Sequence, residues 1–106
     1  MDDHTDVIVV GSGISGLVTG IQAAERADDL DVAIVEKGTR TGGTSRQSGG
    51  AFYCYEDIEA YRERDPPGNT TLQELVVERH ETAWRWLEDH GVPLRHVDIA
   101  ANDFDN

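Results

Sequence analysis

The sequence predicts an α/β fold that starts with a parallel βαβ unit over residues 6–36. A continuous β-branched run at residues 7–10 is typical of a strand buried on both faces of a parallel sheet. The sequence Gly-Ser-Gly-Ile-Ser-Gly follows at residues 11–16, and a second apolar run at residues 32–35 ends at Glu36. This spacing of strand, glycine turn, helix, strand and acid predicts a Rossmann-like unit that binds a dinucleotide.

Each glycine of the turn has a predicted role in binding a pyrophosphate. Gly11 permits the tight turn, Gly13 lets the pyrophosphate approach the backbone, and Gly16 lets the helix pack against the strand. The helix that starts near Ile14 would direct its free N–H groups at the pyrophosphate. Gly20 is small, so we expect this helix to lie close to the sheet.

Glu36 lies at the carboxyl end of the second predicted strand, twenty residues after Gly16. A carboxylate there can accept hydrogen bonds from both hydroxyls of an adenosine ribose, and it disfavours the 2′-phosphate of NADP. The alternative is a glycine-rich turn in an ordinary α/β protein, with Glu36 as a solvated strand end.

Composition excludes several classes of partner. The 106 residues include 21 acidic and 9 basic side chains, for a formal net charge of −12, which argues against nucleic acid or an anionic membrane. Lys37 is the only lysine, and an acidic excess with so little lysine is typical of a halophile's cytosolic protein. An acidic mesophilic protein from a GC-rich genome is the alternative.

The remaining composition predicts a soluble cytoplasmic protein. Cys54 is the only cysteine, so no internal disulfide can form, and the four histidines lack the spacing of a metal site. The N-terminal sequence is acidic, unlike a secretory signal, and no apolar run is long enough to span a membrane.

Residues 37–55 form the second informative stretch. They are rich in glycine and in serine and threonine, without apolar periodicity before Ala51, which predicts a loop. The loop follows the ribose-binding acid directly, so it lies where a dinucleotide would extend, and its backbone N–H groups could wrap a phosphate.

The loop also carries a family resemblance. Glu36-Lys37, Gly42-Gly43-Thr44-Ser45 and Ser48-Gly49-Gly50-Ala51 together resemble the N-terminal FAD-binding segment of the fumarate reductase/succinate dehydrogenase flavoproteins. That family includes 3-ketosteroid dehydrogenases and related FAD-dependent oxidoreductases, and the resemblance covers about residues 6–95. It implies FAD rather than NAD as the cofactor.

The resemblance also implies which residues bind FAD. The expected pyrophosphate contacts are Gly11, Gly13, Ser15 and Gly16, and the expected adenosine-ribose contacts are Glu36 with Lys37 beside it. The residues expected along the pyrophosphate, ribityl and isoalloxazine side are Gly43, Thr44, Ser45, Ser48, Gly49 and Gly50. Respiratory members carry a histidine in this loop that bonds to the flavin. Here no histidine lies between His4 and His80, so we expect noncovalent FAD.

Residues 56–91 predict a helical segment. A short helix at residues 56–64 precedes a Pro-rich break, and Thr71 to Glu74 fit a capping box for a second helix that ends before Gly91. The expected buried side of this helix is Leu72, Leu75, Val76, Ala83, Trp86 and Leu87.

Two groups of residues allow either a functional or a structural interpretation. The stretch Phe52-Tyr53-Cys54-Tyr55 could place an aromatic ring or Cys54 against the flavin, or could pack the next element into the core. His80 and His90 could be acid/base groups, or solvated helix histidines, which we favour.

The chain is expected to be an incomplete domain. Two predicted strands cannot bury both faces of a parallel sheet, and residues 92–106 only begin a next element. We expect the FAD-binding N-terminal portion of an oxidoreductase that exchanges hydride with a carbon–carbon bond beside a carbonyl or carboxylate. It would be a truncated fragment without its own catalytic residues or activity. A downstream chain could complete the domain. An NAD-binding module and a non-enzymatic remnant are the alternatives.

Overall fold

The computed structural model describes residues 3–52 and 54–95 of the chain. The described elements are, in order, β1 (Val7–Val10), α1 (Ile14–Arg26), β2 (Val32–Val35), a 3₁₀ helix (Gly43–Gln47), α2 (Ile58–Arg64) and α3 (Thr70–Asp89). They fall into two compact units, Met1–Ala51 and Phe52–Asn106. The prediction of an α/β fold that starts with a βαβ unit is confirmed.

The first unit is a two-stranded parallel sheet with α1 as its crossover. β1 pairs with β2 so that Val7 lies opposite Val32 and Val10 opposite Val35. The close packing expected of Gly20 is present, because a Cβ built there would lie 2.6 Å from Cδ1 of Ile34 on β2. α1 therefore approaches β2 at a point where the helix carries no side chain.

Burial of β1 on both faces was expected, and this is wrong for the chain by itself. The side chains of Ile8 and Val10 are 61% and 85% exposed. Among the described residues no hydrophobic side chain is fully buried. The reason is geometric: in the described part, β1 has β2 as its one sheet neighbour, and α1 covers the face that carries Val9.

The second unit is built from α2 and α3, and each helix has a side-chain cap at its start. The Asp57 carboxylate accepts a hydrogen bond from the Ala60 amide at 2.8 Å, and Oδ1 of Asn69 accepts one from the Leu72 amide at 3.0 Å. The buried Gln73 donates from Nε2 to the Asp65 carbonyl at 2.9 Å, which fixes the turn between the helices.

The capping box predicted at Thr71 is wrong. α3 begins at Thr70, so Thr71 already has helical backbone, and Asn69 takes the capping position. The carboxylate of Glu74 does not reach back to the cap but pairs with Arg62 of α2 at 3.2 Å. The helix end is as predicted: Gly91 has φ +81°, and the amides of Gly91 and Val92 close a Schellman motif on α3.

Two further expectations need correction. The apolar face expected to be buried on α3 is largely open, since Leu72, Leu75, Val76 and Ala83 are all exposed in this unit. The glycine-rich stretch predicted as a loop contains the 3₁₀ helix Gly43–Gln47. Residues 92–95 have no regular structure, and the rest of the expected next element, residues 96–106, lies outside the described residues.

Candidate functional site

The glycine turn joins β1 to α1 in a conformation that its sequence requires. Gly11 has φ +104°, a region that side-chain-bearing residues rarely adopt, and its amide donates to the Val35 carbonyl at 2.8 Å. A Cβ at Gly16 would collide with the carbonyl oxygen of Gly11, so the first helical turn of α1 packs directly against the backbone of the glycine-rich connection from β1.

Glu36 follows β2 directly, and its carboxylate is bonded back to the glycine turn. Oε1 accepts hydrogen bonds from the hydroxyl of Ser12 at 2.6 Å and from the Ser12 amide at 3.3 Å. Oε2 accepts one from the Gly38 amide at 2.6 Å. These donors, the Ser12 hydroxyl first and then the two amides, lower the pKa of Glu36, with a smaller effect from the Lys37 ammonium. The group is therefore held as a carboxylate.

The glycine-rich segment folds over the turn and is fixed to it at two points. The Gly42 amide donates to the Ser12 hydroxyl at 3.0 Å, and the Ile14 amide donates to the Ser45 hydroxyl at 3.0 Å. Gly42 and Gly43 have φ of +111° and +53°, which explains the glycine pair at this position. The first turn of α1 thus receives a cap from a residue of the loop, since Gly13 has no side chain with which to cap it.

A cavity of about 420 Å³ opens beside these residues. Its walls combine apolar side chains of both strand ends with the glycine backbone and one charge pair: Val10, Gly11, Val35, Glu36, Lys37 and Gly43. A cavity that an acidic residue and two valines line at the carboxyl ends of parallel strands suits a ribose hydroxyl together with an apolar ring. The residues present therefore fit the adenosine end of a dinucleotide.

The predicted site residues are distributed unevenly around this cavity. Gly11, Glu36, Lys37 and Gly43 line it, while Gly13 lies against Ser45, whose Oγ is 3.6 Å from a Cβ built on Gly13. The other predicted residues lie in the first turn of α1, in the 3₁₀ helix or just after it: Ser15, Gly16, Thr44, Ser48, Gly49 and Gly50.

The last three residues of the predicted set, Ser48, Gly49 and Gly50, are exposed. The Ser48 hydroxyl accepts a hydrogen bond from the Gly50 amide at 3.1 Å, and a Cβ on Gly49 or Gly50 would meet no atom within 4 Å. Contacts of these three residues with the flavin end of a cofactor therefore stay a prediction.

Sequence reasoning missed one residue of this site. Ser12 has no exposed surface, and its hydroxyl joins Glu36 to Gly42. It occupies a variable position of the glycine pattern, so the pattern gave no reason to select it. The available signal was chemical: a small hydroxyl beside the turn can serve a carboxylate placed at the end of the neighbouring strand.

The residues of the second unit show structural rather than catalytic arrangements. Phe52 packs edge-on against Trp84 at 6.0 Å between ring centroids, and Tyr55 packs on Tyr61 at 4.3 Å, in agreement with the packing interpretation. Tyr53 lies outside the described residues. Burial raises the pKa of Cys54, which disfavours a thiolate nucleophile.

Both helix histidines bond to carbonyls of their own helix. Nδ1 of His80 lies 2.8 Å from the Val77 carbonyl, and Nδ1 of His90 lies 2.7 Å from the Trp86 carbonyl. A carbonyl can only accept a hydrogen bond, so Nδ1 of each ring is the donor. These contacts agree with the structural interpretation of both residues.

Comparison with known proteins assigns the family. Residues 6–100, most of the chain, match the FAD dependent oxidoreductase family. The chain belongs to this family. The predicted membership of a family of FAD-dependent oxidoreductases is confirmed, and FAD is the cofactor on which the family depends.

Two curated relatives illustrate the match. A vinyl phenol reductase of Lactiplantibacillus plantarum is 27% identical over 100 residues, which cover 94% of this chain and 19% of the relative. A 3-oxosteroid 1-dehydrogenase of Mycobacterium tuberculosis is 44% identical over 77 residues, or 69% of this chain and 13% of the relative. The chain thus spans less than a fifth of the length of either protein. No solved structure matches the chain.

None of the described helices is both long enough and apolar enough to cross a membrane. Within the same residues, no group of His, Cys, Asp and Glu side chains could hold a metal ion. The cytoplasmic location and the halophilic origin stay predictions.

Proposed function

We propose that residues 6–50 form the part of an FAD site that holds the adenosine ribose and the pyrophosphate of the cofactor. One observation carries the proposal: Glu36 lines the 420 Å³ cavity together with Gly11 of the glycine turn. A dinucleotide whose ribose reaches Glu36 would have its pyrophosphate next to the N-terminus of α1.

The chain's own residues would bind and orient the cofactor without a covalent bond. Glu36 is ionised by its hydrogen bonds and can accept a further one from a ribose hydroxyl. Gly11 and Gly43 present backbone without side chains at the cavity wall, and Gly13 lies against Ser45 of the loop. Val10 and Val35 supply apolar surface at the cavity wall, against which the adenosine end could pack.

When bound, FAD supplies hydride chemistry at its isoalloxazine ring. We propose that the complete protein uses it on a carbon–carbon bond next to a carbonyl or carboxylate. The described residues contribute binding and orientation to that reaction. Groups that bind substrate and transfer protons would come from another segment or chain. The exposed Ile8 of β1 supports such a completing partner, because both faces of a parallel sheet are usually covered.

Two alternatives remain to be separated from this proposal. An NAD-binding module would use the same turn and the same acid, and a non-enzymatic remnant would use neither. The membership in an FAD-dependent family and the Gly42–Ser45 contacts on the turn favour FAD over both.

The test is retention of cofactor by the purified chain. The chain is incubated with FAD or NAD⁺ in molar salt, desalted and examined by visible absorption and by calorimetry. We expect FAD to be retained, to be released by acid because the bond is noncovalent, and to bind at least tenfold more tightly than NAD⁺.

Matched variants connect retention to the site. Glu36→Gln should weaken FAD binding about tenfold, because a neutral amide presents its oxygen less strongly to a ribose hydroxyl. Glu78→Gln, an exposed change on α3 in the other unit, should have no effect. A folded chain that binds FAD equally well with and without Glu36 would overturn the proposal, and preferential binding of NAD⁺ would favour the first alternative.

A further inference from the structure

Ser12 is the most buried side chain among the described residues, and it is polar. Its exposed fraction is 0%, and its hydroxyl has a partner on each side. The hydroxyl donates to Oε1 of Glu36 at 2.6 Å and accepts from the Gly42 amide at 3.0 Å. A single oxygen atom thus connects the glycine turn, the end of β2 and the start of the glycine-rich segment.

The hydrogen bonds of Glu36 leave one oxygen available for a ligand. Each carboxylate oxygen accepts about two hydrogen bonds. Oε1 receives both the hydroxyl and the amide of Ser12, so its capacity is used. Oε2 receives the Gly38 amide and retains room for a further donor. Ser12 therefore determines which oxygen of Glu36 a ligand hydroxyl can reach.

We propose that Ser12 is a positioning residue for the ribose site, whose hydroxyl fixes the Glu36 carboxylate and the Gly42 amide relative to each other. The inference rests on the proposed function in one respect, namely that the ligand of Glu36 is a ribose of FAD. The link between Ser12 and Glu36 does not depend on that ligand.

The chemistry of this position favours serine over its close relatives. Alanine would leave the Gly42 amide without its acceptor and Glu36 with one donor fewer, in a place that water does not reach. Cysteine would fill a similar volume but is a weak donor. Threonine would keep the hydroxyl but add a methyl group where the side chain has no exposed surface.

The charge on Glu36 gives a readout that a merely structural residue would not move. The Ser12 hydroxyl is the largest cause of the lowered pKa of Glu36, ahead of the Gly38 and Ser12 amides. Lys37, next to Glu36 in the chain, is the charged side chain that acts on it. Ser12→Ala and Ser12→Cys should therefore raise the pKa of Glu36 while Lys37 stays in place.

The first experiment titrates the Glu36 carboxyl carbon by NMR in the full 106-residue chain without cofactor. We expect a pKa below the ordinary glutamate value in the native chain and a clear upward shift in Ser12→Ala. Thr19→Ala is the matched control, since it removes a hydroxyl that bonds to the Ser15 carbonyl within α1 and not to Glu36. An ordinary pKa in the native chain, or no shift in either folded Ser12 variant, would overturn the proposal.

The second experiment is a double-mutant cycle on FAD affinity. Ser12→Ala should weaken binding about tenfold in the native background, the effect of one buried hydrogen bond. In the Glu36→Gln background the same change should weaken binding less than about threefold, because Ser12 then has no carboxylate to position. Equal losses in both backgrounds would show that Ser12 acts independently of Glu36 and would overturn the proposal.

The two proposals fail in different ways. A chain that shows the Ser12-dependent shift of Glu36 but binds no FAD would overturn the proposed function and leave the link between the two residues standing. A chain that binds FAD through Glu36, but in which Ser12→Cys changes neither the pKa of Glu36 nor the FAD affinity, would overturn the role of Ser12 and leave the proposed function standing. Ser12→Cys also serves as the second variant if Ser12→Ala does not fold.

Discussion

The hydroxyl of Ser45 accepts a hydrogen bond from the backbone amide of Ile14, at 3.0 Å and 31 residues away in the sequence. Ile14 is the first residue of α1, and the capping position before it is Gly13, which has no side-chain hydrogen bond to offer. The loop therefore supplies the cap that the helix lacks.

Ser45→Ala should loosen both the loop and the first turn of α1. Loss of a cap hydroxyl typically costs about 1 kcal/mol, and here it also removes a tie between two segments. Amide hydrogen exchange at Ile14 should become about fivefold faster, as measured by NMR. Thr44→Ala is the control, because this neighbouring hydroxyl lies on an exposed residue. Equal exchange rates at Ile14 in both variants would show that the hydroxyl of Ser45 has no capping role.

The glycines of α1 should differ in how well they tolerate alanine. At Gly16 the new Cβ would collide with the backbone oxygen of Gly11, whereas at Gly20 it would meet the flexible end of Ile34 at 2.6 Å. We expect Gly16→Ala to cost more than about 2 kcal/mol of stability and Gly20→Ala about 1 kcal/mol. Gly49→Ala, where a Cβ meets nothing within 4 Å, should be neutral. Chemical denaturation measures the series, and a Gly16→Ala chain as stable as Gly49→Ala would refute it.

The stability of the first unit should fall in acid because of Glu36. The pKa of this group is lowered from its ordinary value of 4.5 by the Ser12 hydroxyl and two backbone amides. The folded value is thus below the unfolded one, so the carboxylate's contribution is complete above 4.5 and is lost as the pH falls through the folded value. Circular dichroism against pH should show this loss, and Glu36→Gln should flatten it.

Asp6 provides the necessary comparison for that measurement. Its pKa is also lowered, first by the Asp31 amide and then by His4, so it contributes acid sensitivity of the same sign. Asp6→Asn should remove one part of the pH dependence and Glu36→Gln the other. If Glu36→Gln alone left the acid transition unchanged, the hydrogen bonds to Glu36 would have no energetic role.

The sequence predicted the βαβ unit well because its steric requirements are local. The positive φ of Gly11 and the close approach of Gly16 can be met only by glycine, so the pattern itself reports the geometry. Ser12 could not be selected in the same way. Its partners Glu36 and Gly42 lie 24 and 30 residues later, and their approach exists only in the folded chain.

The start of α3 shows a second limit of sequence reasoning. Asn69 and Thr71 both have suitable capping side chains, and the Glu74 that favoured Thr71 in the sequence pairs with Arg62 in the structure. The position of the cap depends on where the chain leaves the turn that Gln73 and Asp65 fix. Hydrophobic pattern has a related limit: it identifies apolar faces, but it does not tell whether a covering element lies within the same chain.

Adjacent residues of β1 test this last point directly, because they lie on opposite faces of the strand. Val9 contacts α1, with Cγ1 3.4 Å from a Cβ built on Gly16, whereas Ile8 is 61% exposed. Val9→Thr would place a hydroxyl against α1 and should cost about 1–2 kcal/mol in the isolated chain. Ile8→Thr should change its stability by less than about 0.5 kcal/mol.

The relative cost of Val9→Thr and Ile8→Thr should change once a completing chain is present. If β1 is covered in the assembled protein, Ile8→Thr should weaken assembly with the completing chain, measured by co-purification or calorimetry, although the isolated chain tolerates it. Val9→Thr should reduce assembly only as far as it unfolds the first unit, because its face is already occupied by α1. Full assembly of the Ile8→Thr chain would show that this face of β1 stays open to solvent, and the proposed completing partner would then have to bind elsewhere.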